Sequence, residues 1–82
     1  MRFRFEVRWK EQLVVHHAGG EFVLEFPMGR PTVCLPTHTR WQEIAPPELR
    51  SHWLELNEQL QEYCVLNGFG LELGDNYKIY PA

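Results

Sequence analysis

The chain has the composition of one small folded domain: of its 82 residues 44% are hydrophobic, 13% are aromatic and 23% are charged. A chain of this length has room for a single hydrophobic core, so we expect residues 1–82 to form one domain. Residues 1–40 hold six Lys or Arg and four Asp or Glu, whereas residues 41–82 hold two and seven. The halves therefore carry +2 and −5, which argues against a surface that is basic throughout and binds nucleic acid.

The cysteines and the first residues indicate the compartment. Cys34 and Cys64 lie among apolar neighbours and are too few for a disulfide framework, so we expect two buried free thiols. Residues 1–10 alternate between charged and apolar side chains, unlike the continuous apolar segment of a signal peptide. No apolar run approaches the roughly 20 residues that cross a bilayer. We therefore expect a soluble cytoplasmic protein that does not bind membranes.

The first half of the chain has the period of β-strands. In residues 2–9 the apolar side chains share one predicted face and the charged side chains share the other: Phe3, Phe5, Val7 and Trp9 against Arg2, Arg4, Glu6 and Arg8. A polar break that includes Lys10 follows, and residues 13–26 then predict a hairpin that reverses at Gly19 and Gly20. A short strand is predicted between Pro31 and Pro36.

The second half changes to helical spacing. From Pro47 to about Asn67 apolar residues recur at helical intervals, with proline in the first turn and Gly68 just past the end. Residues 69–73 and 77–80 alternate again around a turn at 74–76, which predicts a closing hairpin. The order predicts an α+β fold of two layers, a mostly antiparallel sheet covered on one face by a single long amphipathic helix.

Four histidines are the candidates for metal binding or acid–base chemistry. Neighbours on a strand point to opposite faces, so His16 and His17 cannot readily converge on one metal ion, and we interpret them as marking a hairpin tip. His38 and His52 are placed to edge a pocket between helix and sheet. The sequence has no spacing typical of a zinc site, no phosphate loop and no nucleophile motif. We therefore predict no metal, no cofactor and no catalytic residue, although a general acid–base pair assembled by the fold stays open.

The predicted helix carries two surfaces that could contact a protein. Four glutamates fall in one band opposite the apolar stripe: Glu48, Glu55, Glu58 and Glu62. This acidic ridge is either a solvated face or a surface that attracts a basic partner. Leu54, Gln61 and Val65 project from a flank of the helix, where either a second copy of the chain or an unusually wide core would cover them.

Trp41 lies in the predicted loop before the helix. Loops carry function, and tryptophan is favoured at binding hot spots, so Trp41 is a candidate contact residue for the partner. The alternative is a lid that seals one end of the core.

An ordered set of short motifs runs through residues 20–73. They are Val33-Cys34-Leu35-Pro36, Trp41, Ile44, Pro46-Pro47, the helical Leu56 and Leu60, and Asn67-Gly68-Phe69 leading into a strand. This order resembles small immunity-type proteins of bacterial toxin systems, and the compact chain is similar to gene-cassette proteins of mobile bacterial elements. The resemblance implies a non-enzymatic protein that neutralises a partner by binding it, with no catalytic residues to carry over. The aromatic and basic first strand departs from that pattern.

We therefore predict a small, non-enzymatic protein-binding domain that self-associates as a homodimer or higher oligomer and also binds a basic protein. The first alternative is a small-ligand binding protein or minor enzyme with a pocket between helix and sheet. The second is a nucleic-acid-binding module that uses the basic strand face of Arg2, Arg4 and Arg8.

Overall fold

The computed structural model describes residues 1–8, 11–27 and 29–82, so the expectations for Trp9 and Lys10 lie outside the described residues. Within these ranges the strands are β1 (Arg4–Arg8), β2 (Gln12–His17), β3 (Gly20–Glu25), β4 (Thr32–Pro36), β5 (Gly70–Gly74) and β6 (Ile79–Pro81). The helices are α1 (His38–Ile44) and α2 (Trp53–Asn67), with a 3₁₀ helix at Pro47–His52 between them.

The six strands form one mostly antiparallel sheet in the order β1-β2-β3-β4-β5, and β6 also pairs with β3. The first three strands are an antiparallel meander. Two strands pair with the side of β3 that faces away from β2. Glu25 pairs with Cys34 of β4, and residues 22–24 pair with β6. β4 and β5 are parallel, as a helical crossover between them requires. The predicted α+β class with a mostly antiparallel sheet is confirmed.

The predicted hairpin between β2 and β3 is also confirmed. His17 pairs with Gly20, and Ala18 and Gly19 form the turn. Gly20 has a φ of 145°, a conformation that side chains with a Cβ rarely adopt. The two adjacent histidines therefore do mark a hairpin tip.

The helical layer differs from the prediction of one long helix. Residues 47–52 form the 3₁₀ helix, and α2 begins only at Trp53. α1 occupies the stretch that was expected to be a loop, and the hydroxyl of Thr37 caps it by accepting the N–H of Arg40 at 3.2 Å. Ala45 and Pro46 are extended because each precedes a proline, and this separates α1 from the 3₁₀ helix.

The predicted closing hairpin is wrong, because β5 pairs with β4 and β6 pairs with β3. The turn after β5 is held against the start of α1. Thr37 donates its hydroxyl to Asp75 at 2.7 Å and its N–H to the carbonyl of Gly74 at 3.2 Å. These contacts direct the chain away from β5 and across to β3.

The core lies between the helices and one face of the sheet, which we call the front face. Its fully buried members come from both layers: Leu13, Val15, Leu24, Val33 and Leu35 from the strands, and Trp41, Leu56 and Leu60 from the helices. Among the described residues no buried side chain is polar or charged. The Gly68 N–H and the Phe69 N–H donate hydrogen bonds to carbonyls in the last turn of α2, which confirms the predicted end of the helix.

Cys34 and Cys64 are free and buried, as predicted. Burial raises the pKa of both thiols, because removal from water disfavours the thiolate.

Candidate functional site

The adjacent histidines face opposite sides of the sheet, as predicted. On the back face, the side of the sheet away from the helices, His16 lies between two carboxylates, with Nε2 2.8 Å from Glu6 and Nδ1 2.8 Å from Glu21. His17 faces the front, where its ring lies 5.9 Å from the ring of Phe22. The hydrogen bond to His16 lowers the pKa of Glu6. The two histidines therefore share no site.

The described residues contain neither a cluster of metal ligands nor a membrane-spanning helix. Over residues 1–8, 11–27 and 29–82, His, Cys, Asp and Glu side chains form no group of three or more that could hold a metal ion. Within the same ranges every helix is too short or too polar to cross a membrane.

The other two histidines are engaged on the surface of the helical layer. His38 packs edge-on against Trp53, with 5.3 Å between ring centroids. His52 lies at the start of α2 with Nδ1 3.0 Å from a carboxylate oxygen of Glu55. Trp53, on which His38 packs, is itself buried in the core, and so is Leu49 of the neighbouring 3₁₀ helix.

The prediction that Trp41 contacts a partner is wrong. Trp41 is 0% exposed, and its indole Nε1 donates to the carbonyl of Leu49 at 2.9 Å. Its ring lies 5.7 Å from that of Phe22, across the interface between helices and sheet. Trp41 thus joins α1 to the core, as the lid alternative required.

The four glutamates of the acidic ridge lie in different environments. Glu48 lies on the 3₁₀ helix, where each residue advances by roughly 120° instead of roughly 100°, so its predicted alignment with the α2 glutamates no longer follows. Glu55 accepts hydrogen bonds from the amino group of Met1 and from His52, and both lower its pKa, the Met1 bond more strongly. Glu58 and Glu62 are exposed on α2.

The flank of α2 that faces β1 is covered by the first residues of the chain. The side chain of Gln59 accepts the N–H of Phe3 at 2.8 Å and donates to the carbonyl of Met1 at 2.8 Å. Phe5 continues the contact, with its ring centroid 5.1 Å from that of Tyr63. This flank of the helix therefore has an intramolecular partner.

The opposite flank of α2 is exposed. Leu54 is 64% exposed and Val65 is 80% exposed, and Gln61 between them is exposed as well. The structure thus places the three residues of the predicted oligomer interface on open surface and excludes the alternative that a wide core buries them. Whether a second chain covers them stays a prediction.

A groove runs between this flank and β5. It is lined by Asn57, Gln61, Cys64 and Val65 from α2 and by Phe69, Leu71 and Leu73 from the next segment. Leu73 is 46% exposed, although it belongs to a strand. The exposure of Leu73 could not be predicted from the sequence, because strand alternation identifies the face of a side chain but not whether the strand lies at an edge of the sheet.

The back face of the sheet carries charges of both signs. Arg4 and Arg8 of β1 alternate with Glu6, and Arg30 binds Glu72 at 2.9 Å. Glu21 and Glu25 of β3 lie on the same side. The described residues of this face therefore offer no concentrated basic surface for the nucleic-acid alternative.

Comparisons of the chain with protein families, curated proteins and solved structures found no match. The surfaces described above are consequently the basis for assigning a function.

Proposed function

We propose that this chain is a small protein-binding domain that self-associates through the α2–β5 surface, defined as Leu54, Gln61 and Val65 together with the groove-lining Leu71 and Leu73. The observation that carries the proposal is the exposure of Leu54, Val65 and Leu73 on and beside that groove, three large apolar side chains on one side of the domain. A cluster of exposed apolar side chains is typical of a protein contact.

The energetics favour a second copy of the chain as the occupant. Complete burial of a leucine or valine side chain contributes about 1.5–3 kcal/mol, and a two-fold dimer buries each residue twice. A domain of 82 residues buries a smaller fraction of the surface of its unfolded chain than a large domain does, so it gains more from association.

The exposed glutamates of α2 support a second contact. Glu58 and Glu62 lie on a helix without any lysine or arginine, and their field would speed the approach of a basic protein. Glu58 lies one helical turn after Leu54 and therefore borders the self-association surface, so Glu62 is the acid that a dimer would present twice. An acidic surface of this kind would suit the neutralising role that the resemblance to immunity-type proteins implies. Glu48 and Glu55 have smaller parts in this proposal, because the first lies off α2 and the second is already hydrogen-bonded.

The experiment is native mass spectrometry of the parent and of the variant Leu54→Glu with Val65→Glu. We expect the parent to be a dimer or higher oligomer and the variant to be a folded monomer, because burying two carboxylates per chain is strongly unfavourable. Leu66→Glu is the matched control, since Leu66 is 77% exposed but lines the groove on the β1 side of α2.

The control should keep the mass of the parent. A variant that also keeps the parent's mass would remove the α2–β5 surface from the interface. A parent that stays monomeric at every concentration would overturn self-association itself, and the acidic face of α2 would become the first surface to test.

A further inference from the structure

We infer that the second copy joins along β5, with a two-fold axis through Glu72 that makes one continuous sheet from two subunits. This inference rests on the proposed self-association and adds its register. It starts from the sequence of β5, Gly70-Leu71-Glu72-Leu73-Gly74, which reads the same in both directions. An antiparallel pair of such strands centred on Glu72 places like residues in equivalent positions, as a two-fold contact requires.

The backbone of β5 is oriented for this pairing. Gly70 donates its N–H to Pro31, and the carbonyl of Gly74 accepts from Thr37, so the even-numbered residues face β4. Peptide groups alternate in direction along a strand, and the N–H and C=O groups of Leu71 and Leu73 therefore point to the open edge. In the inferred register Leu71 exchanges both hydrogen bonds with Leu73 of the partner subunit.

The two edges of the sheet differ in how they are protected. β1, at one edge, has Arg4, Glu6 and Arg8, and charged side chains of this kind discourage pairing with another chain. β5, at the other edge, has one charged residue and no proline or lysine. That residue, Glu72, is already neutralised, since its carboxylate accepts from Arg30 at 2.9 Å and from the hydroxyl of Tyr77. Placing two Glu72 side chains side by side at the axis therefore does not bring together two unpaired charges.

The positions of the Leu71 and Leu73 side chains are consistent with the same two-fold axis. Leu71 and Leu73 are on the front face, because they pair with the buried Val33 and Leu35 of β4. Across the axis Leu73 would meet Leu71 of the partner subunit, and the exposed fraction of Leu73 would fall. The apolar contact thus lies on the same side of the sheet as α2.

The position of α2 supplies an independent check. α2 ends at Gly68 and the chain reverses there, so that the carbonyl of Cys64 accepts the N–H of Phe69 at 2.8 Å. From Phe69 to Glu72 the strand advances about 10 Å. The same distance along the helix is about seven residues, which leads from Cys64 back to Asn57.

The midpoint between Leu54 and Val65 lies within one helical turn of Asn57. An axis through Glu72 therefore also passes near the middle of the exposed flank. It relates the two α2 helices as an antiparallel pair and turns the exposed flanks with Leu54 and Val65 toward the partner subunit. The position of the helix is thus compatible with the axis that the sequence of the strand indicates.

The test is an inter-subunit disulfide from Glu72→Cys. In the inferred register the two residues form a pair without mutual hydrogen bonds, with Cα atoms about 4.5 Å apart, which is within the range that a disulfide spans. The native Cys34 and Cys64 are buried, so the introduced thiol is the accessible one. Asn76→Cys is the control, because Asn76 is exposed in the turn after β5 and lies well off the axis.

We expect Glu72→Cys to form a covalent dimer roughly a hundredfold faster than Asn76→Cys at micromolar protein, since the axis holds the two thiols at a millimolar effective concentration. In the unaltered protein, hydrogen exchange of the Leu71 and Leu73 amides should slow as the protein concentration rises. A parent that oligomerises while Glu72→Cys reacts no faster than the control, and while those amides stay unprotected, would overturn the register and leave self-association standing. A parent that is monomeric would overturn both.

Discussion

The β1 side and the β5 side of the molecule differ in the charge of the edge strand and in how the adjacent flank of α2 is covered. On the β1 side the edge strand is charged, and the adjacent flank of α2 is hydrogen-bonded to residues 1–3 of the same chain through Gln59. On the β5 side the edge strand is mainly glycine and leucine, and the flank of α2 leaves Leu54 and Val65 exposed. The same helix is thus partly covered by its own chain on one side, where Leu66 stays exposed, and is open on the other. This difference is the reason why we propose the β5 side as the binding surface.

The largest expected effect is a difference in unfolding free energy between a substitution on the buried side of α2 and one on its open flank. Leu60→Ala should lower the free energy of unfolding by about 2–5 kcal/mol, because Leu60 is fully buried and its loss leaves a cavity. Leu54→Ala should change the same quantity by less than about 0.5 kcal/mol at concentrations where the protein is monomeric. Urea denaturation measures both. Equal losses for the two variants would mean that Leu54 belongs to the core of the monomer.

A smaller difference in unfolding free energy is expected between matched substitutions on the two flanks of α2. Gln59→Ala should cost about 1–2 kcal/mol of unfolding free energy, because it leaves the partly buried N–H of Phe3 without its acceptor. Gln61→Ala on the open flank is the matched change, and it removes only an exposed hydrogen bond to Asn57. We expect that loss to be near zero in the monomer by the same denaturation experiment. A Gln59 variant as stable as the Gln61 variant would show that residues 1–3 do not hold that flank.

The smallest effect concerns the charges on the β1 side. His16→Ala should raise the pKa of Glu6 toward its ordinary value of 4.5, because the hydrogen bond from His16 is the main cause of its lowered value. The pKa is lowered in the folded state, so the contribution of Glu6 to stability is present above pH 4.5 and is lost as the pH falls through the folded value. NMR titration of the Glu6 carboxyl measures the shift. His17→Ala, on the other face, should leave it unchanged; an equal shift in both variants would contradict the pairing.

Sequence patterns lacked the same information about Trp41 and about Glu55. Trp41 was placed on a surface because a loop was expected there, but a seven-residue helix capped by Thr37 turns it into the core. Glu55 was placed in the acidic ridge, and the structure gives it two partners, His52 and an amino group 54 residues away along the chain. Helical projection places a side chain on a face, and it carries no information about which distant segment then covers that face.

By itself the sequence determined the local features of this protein: the alternation of the strands, the hairpin tip at His16 and His17, the end of α2 at Gly68 and the two buried thiols. Each depends on periodicity or on the conformational preference of a few neighbouring residues. Only the tertiary structure decided that β6 joins β3, that residues 1–3 cover one flank of α2, and that β5 is left as an open edge. These outcomes depend on contacts such as that between Thr37 and Asp75, which are 38 residues apart, and pairing over such separations is selected by the closure of the whole core.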